Sequence, residues 1–142
     1  MLNPTAQELL SSRGFGVLAT LSQRVRDFPF GSIVTYALDA DGRPIFLLSA
    51  LAVHTTNLLA NPKASLLVFA ESAESDPLSS ARLNVFGEVE LVPDADVPAA
   101  RSLYLARHPE AEQWVDFGDF AFYRMSVGQA YYVGGFGVMG WM

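Results

Sequence analysis

The chain has 142 residues, of which 51% are hydrophobic and only 17% charged, with a formal net charge of −6, no cysteine and two histidines. The length implies one domain spanning 1–142; the missing cysteines exclude disulfides, thiolate metal sites and cysteine nucleophiles, and two histidines leave little for a zinc centre, so no metal is expected. The acidic balance argues against a nucleic-acid or anionic-membrane surface, no apolar run approaches the roughly eighteen residues of a membrane span, and no cationic segment opens the chain, so the expected compartment is the cytoplasm.

Asn3-Pro4, or Thr5 with Glu8 three residues on, offers alternative caps for a short helix ending near Ser12, with Leu9 and Leu10 inward. Gly14 to Ser22, Phe30 to Leu38 and Pro44 to Ser49 are apolar, β-branched and aromatic runs of strand length. Asp39-Ala40-Asp41-Gly42 joins the last two as a hairpin, Gly42 supplying the positive φ. His54 to Ala60 forms a short helix stopped by Asn61-Pro62, and Ala64 to Ala70 is a fourth strand. Glu71 to Ser80 is polar, acidic and proline-interrupted, and is expected to be a mobile loop. Arg82 to Val92 alternates in strand period with a bulge expected at Gly87. Asp96 caps a helix with Pro98 in its first turn and a stop at His108-Pro109, and a helical piece, Glu110 to Val115, follows. Phe120 to Val127 and Ala130 to Val133 are the last strands before an apolar, glycine-rich ending, GGFGVMGWM. Short strands with small helices in the connections point to a mainly β (α+β) fold, an antiparallel barrel of six or seven strands closed on itself, with short peripheral helices.

No nucleophile elbow, Walker-type phosphate loop, zinc helix or dinucleotide fingerprint is present, and no catalytic residue stands out. Three segments would suit a flat, phosphorylated cofactor. In Phe30-Gly31-Ser32-Ile33-Val34, glycine permits a close ring approach and Ser32 offers a compact donor; the plainer reading is a bulge at Gly31. From Ser49 to Asn57 a strand end becomes a helix start, whose unpaired N–H groups would welcome a phosphate beside hydroxyls and the His54 imidazole. The plainer reading makes Thr55 or Thr56 an N-cap and His54 a surface residue. Arg82 could clamp a phosphate, or pair with Glu71, Glu74 or Asp76. Arg124 is expected to pair structurally with Asp116 or Asp119, His108 to decorate a helix end, and the apolar tail to pack on the barrel or to cover a ligand or a second subunit.

These blocks have an order. FPFGSIVTYALDADGRPIFLLSALAVHTTNLLANPKASLLV, DPLSSARLNVFGEVELV and FGDFAFYRMSVGQAYYVGGFGVMGW together resemble the pyridoxamine 5′-phosphate oxidase-like family of FMN-binding split barrels, over about Gly14 to Trp141. The likeness is greatest to its haem-utilisation branch, through the S-x-L-A-x-H-T-x-N-L segment and the Y-V-G-G-F-G ending. The resemblance implies a split barrel of six or seven strands, a homodimer with FMN in a groove between subunits, and an oxidoreductase acting on an unidentified small molecule. It implies flavin contacts from Gly31, Ser32, Ile33 and Val34 beside the ring, Ser49 and Ala50 at the strand end, and His54, Thr55, Asn57 and Arg82 towards the phosphate. Where oxidase members carry an Arg-Lys pair, this sequence has Val53-His54-Thr55, which implies weaker phosphate binding. The second reading is therefore a haem-binding or haem-utilisation protein, with His54 or His108 as ligand, and the third a non-enzymatic barrel without cofactor.

Overall fold

The computed structural model describes residues 2–142. The first helix, α1 (Pro4–Ser12), settles its own capping: the Asn3 side chain accepts from the Ala6 N–H at 2.8 Å, with Pro4 in the first turn. Seven strands make one antiparallel path: β1 (Phe15–Leu21), β2 (Pro29–Thr35), β3 (Ala37–Leu38), β4 (Pro44–Ser49), β5 (Lys63–Phe69), β6 (Arg82–Leu91) and β7 (Phe120–Gly135). Their order is β2-β1-β5-β6-β7-β4-β3, and β8 (Val138–Trp141) adds to β7. Two further helices, α2 (Val53–Ala60) and α3 (Val97–Arg107), lie in the connections. None of the described helices is long and apolar enough to cross a membrane.

The sheet curls without closing. β2 pairs only with β1, and β3 only with β4, so the barrel is split between these edges rather than closed, as strand periodicity alone suggested. Inside it, Leu18, Phe46, Leu66, Val85 and Met125 form the main core, with Ala6 and Leu10 of α1 and Leu58 of α2 packed into it. A second cluster, built on Ile45, Phe122, Tyr104 and Ala100, binds α3 to the outside of β4 and β7.

Locally the chemistry is as expected at the hairpin: Gly42 has φ +80°, and Asp39 Oδ1 accepts from the N–H groups of Asp41 and Arg43, each at 2.9 Å. The bulge falls at Phe86/Gly87, where a Cβ on Gly87 would lie 2.1 Å from the Ser126 carbonyl oxygen. Elsewhere tertiary structure overrules the local signals. The last two expected strands are one continuous β7, because the pairing with β6 carries the chain across Gly128. Asp96 precedes α3 without a side-chain cap bond and instead ends a 3-10 turn, Asp94–Asp96; Pro109–Gln113 is likewise 3-10. The 71–80 loop is organised rather than loose: Glu71–Glu74 is a 3-10 turn, and the buried Ser80 hydroxyl lies 2.7 Å from that of Ser72. The apolar tail packs on the barrel, with Trp141 against Phe86 and Tyr131 at ring separations of 5.7 and 4.8 Å.

Candidate functional site

Strand alternation divides the β2 segment. Val34 turns inward and is buried, Ser32 is half-buried on the same side, and Gly31 and Ile33 point outward, Ile33 with 77% of its surface exposed. No bulge exists at Gly31, since the β1–β2 register runs unbroken from Phe15↔Thr35 to Leu21↔Pro29. A Cβ there would meet only Val17 Cγ1, at 3.5 Å, so packing within the chain leaves room for a side chain at this position.

The β4 end and the α2 start are held together by side chains. The Ser49 hydroxyl donates to Asp119 Oδ2 at 2.8 Å and accepts from the Leu51 N–H at 3.1 Å, leaving Ala50 exposed at the turn. Helix α2 begins at Val53 behind Ala52, so neither Thr55 nor Thr56 is its cap. Thr55 is fully buried with its hydroxyl lacking any partner, and the buried Asn57 gives its amide to Thr20 Oγ1 and takes the Gln23 N–H, both at 3.1 Å. Both residues are closed off from solvent within this chain. His54 is half-buried beside exposed Leu51 and Val53, and desolvation holds its imidazole below the ordinary histidine range.

Arg82 lies elsewhere. α2 is anchored at Thr20, opposite Ala64 of β5, whereas Arg82 pairs with Phe69, five residues farther along the same strand. That separation is roughly 17 Å at the strand rise, so one chain does not bring Arg82 to the helix start. Its guanidinium Nη1 donates to the carbonyls of Pro77, Leu78 and Ser80, each at 3.2 Å, a staple for the preceding loop in place of the expected acidic partner. Arg124 does make a structural ion pair, but with Asp96 at 3.3 Å. His108 is no surface decoration. It is buried, Nε2 lies 2.7 Å from the Tyr36 carbonyl, and Nδ1 faces Glu110 at 3.6 Å.

Of the ten expected contacts, Ser49 and Asn57 thus bond within the fold, Arg82 holds its loop through Nη1, and Val34 and Thr55 are buried. Gly31, Ile33 and Ala50 are exposed, and Ser32, Ser49, His54 and Arg82 are half-exposed. A phosphate at α2 would find the forward N–H groups of a helix start but no cationic side chain of its own first turn.

Residues 3–142 match the family model described as CREG, beta-barrel. The chain is 48% identical over 120 residues to the chloroplastic non-canonical heme oxygenase HOZ of Arabidopsis thaliana, the match covering 84% of this chain and 36% of that protein. It superposes with a TM-score of 0.87 on the structure of a heme binding protein from Mycobacterium smegmatis, 36% identical, covering 100% of this chain and 59% of the other. A FAD-binding protein from Mesorhizobium loti shares the fold, with a TM-score of 0.71 at 17% identity. The chain therefore spans between about a third and three-fifths of the length of the two haem-related relatives.

Proposed function

Because the chain belongs to the CREG β-barrel family, we propose that it is a single haem-binding split-barrel domain working as a homodimer, with haem as its substrate or cargo. One observation carries this reading: Ser49 and Asn57 of the expected cofactor cradle bond within the fold and Arg82 holds its own loop, while the half-buried His54 imidazole stands on an apolar platform of exposed Leu51 and Val53. A porphyrin needs apolar contact and an axial lone pair, whereas a flavin phosphate needs anion donors. His54 supplies the lone pair, since burial favours its neutral form. His108 is committed to Tyr36 and Glu110. The relatives named for heme add support from outside the chain. Bound haem would contribute iron redox chemistry; this chain's residues would cover its face, exclude water from it and present His54. The cysteine-free composition fits a reducing cytoplasm as its compartment.

FMN binding is the second reading, favoured by the helix start itself, where the N–H groups of Val53 and His54 precede the first intrahelical bond. Titration of the purified chain with haemin and, separately, with FMN decides between them. A saturable Soret band that shifts in His54→Ala and persists in His108→Ala supports haem binding through His54. A Soret band indifferent to His54→Ala overturns that ligand, and saturable flavin binding without haemin binding overturns the reading.

A further inference from the structure

Near the opposite barrel end from His54, the C-termini of α1 and α3 converge on a cavity of about 300 Å³ bounded by Arg13, Arg107, Tyr36 and Leu103. Among the described residues the ion pairs use Arg43, Arg101, Arg124 and His108 but neither of these two arginines. Arg13 Nε is buried without an acceptor and its guanidinium carbon lies 5.7 Å from the centroid of the Phe15 ring, with no carboxylate of the described residues in ion-pair reach of the group. The exposed Arg107 reaches over Gly14, where a Cβ would come within 2.7 Å of Nη2, and its one hydrogen bond among the described residues is a long one, 3.4 Å, to the Ser12 carbonyl. The Tyr36 hydroxyl beneath them donates to the Leu10 carbonyl at 2.5 Å and does not compete for an anion.

Ser11 and Leu38 line this cavity and also a second, of about 860 Å³, walled by Leu2, Leu10 and Val127. Gln7, Glu8, Asp41, Arg43 and Ser126 line the same cavity; Arg43 is paired with Asp41 and Asp39, which leaves Glu8 to repel a further negative charge there.

The geometry points to a binding site for an amphiphilic monocarboxylate, the carboxylate held by Arg13 and Arg107 and an unbranched apolar tail lying along Leu38 into the larger cavity. A guanidinium fork matches a carboxylate, and an apolar wall rewards each methylene it covers. This site is independent of haem: it shares no residue with the His54 platform.

The test is a backbone amide NMR titration of the full chain with octanoate below its micelle concentration, alongside hexanoate, acetate and octanol. Octanoate is expected to shift the amides of Ser11, Arg13, Leu38 and Arg107 saturably, to bind up to about fourfold more tightly per added methylene across the series, and to exceed octanol by about tenfold. Arg13→Gln should weaken octanoate about tenfold with its thermal midpoint unchanged, and His54→Ala should leave it unchanged. Octanol binding as well as octanoate, indifference to Arg13→Gln, or shifts confined to the outer sheet around Ile33 and Trp141 would each overturn the proposal. Should Arg107→Gln fail to fold, Arg13→Gln still decides.

Discussion

Asn57 on α2 donates its side-chain amide to the hydroxyl of Thr20 on β1, 3.1 Å away, and both residues are buried. The same carboxamide accepts the Gln23 N–H, so one side chain ties the helix, the strand end and the β1–β2 turn together. Removing it strands a buried hydroxyl and a backbone donor. Asn57→Leu is expected to cost about 2–3 kcal/mol, read as a lowered urea midpoint with an unchanged slope. A loss below about 0.5 kcal/mol would show that the bonds are replaced by water.

Arg82 is expected to matter for its loop and little for any ligand. Its Nη1 donates to three carbonyls of the 77–80 segment, while the loop's own closure is a Ser72–Ser80 hydroxyl contact. Arg82→Ala should raise the rate of limited proteolysis within residues 71–81 and lower stability by about 1–2 kcal/mol, with haemin affinity unchanged. Weaker haemin binding with an unchanged digestion pattern would return Arg82 to the ligand site.

How far the sequence discloses the site can be traced through these residues. Asn3, the Asp39–Gly42 hairpin and the alternation of β6 are legible because their causes lie within a few residues of chain. The intramolecular bonds of Ser49, Asn57 and Arg82, all expected as cofactor contacts, are illegible in the sequence for a common reason. Each offers a polar atom, and whether that atom faces a ligand or a neighbouring segment depends on partners 34 to 70 positions away for Asn57 and Ser49. For Arg82 the partners are backbone carbonyls, which every residue has and no motif marks. His108 was obscured by its position before Pro109: a helix stop suggests exposure, yet the ring is drawn in by Tyr36, 72 positions earlier. The Arg13–Arg107 juxtaposition has no sequence signature, since 94 positions separate the two residues and the convergence of two helix ends creates it.

The half-buried imidazole of His54 gives a pH signature. Desolvation lowers its folded-state pKa beneath the ordinary 6.5, so the unfolded chain takes up a proton first as the medium is acidified. Its contribution is flat above about pH 7.5 and destabilises progressively as pH falls through 6.5 towards the folded value. Urea midpoints of the native chain and of His54→Gln should therefore run parallel at alkaline pH and converge or cross below about pH 6.5, the variant losing less. Parallel curves throughout would mean that the imidazole titrates as in the unfolded chain.

The outer face of the sheet bears on the paired state. Register places Ile33, Val17, Leu67, Asn84, Tyr131 and Trp141 in one row across six strands, and Phe15, Phe69, Arg82, Val133 and Met139 in the next. Ile33 is 77% and Trp141 66% exposed, and neither row carries a carboxylate. The chain shows 8076 Å² of accessible surface, where a monomer of this mass is expected to show about 7,000 Å². A sheet face of this extent that is rich in aromatics and carries Arg82 as the one charge of these two rows costs free energy in water, and a two-fold axis would bury each of its residues twice. Covering Ile33 is worth about 2 kcal/mol per copy, so Ile33→Lys, which also places like charges near the axis, should convert a dimer to a monomer at micromolar concentration. Light scattering after size exclusion reads the mass, and circular dichroism should show the barrel intact. A wild-type chain that is monomeric, or a variant that stays paired, would remove this face from the interface.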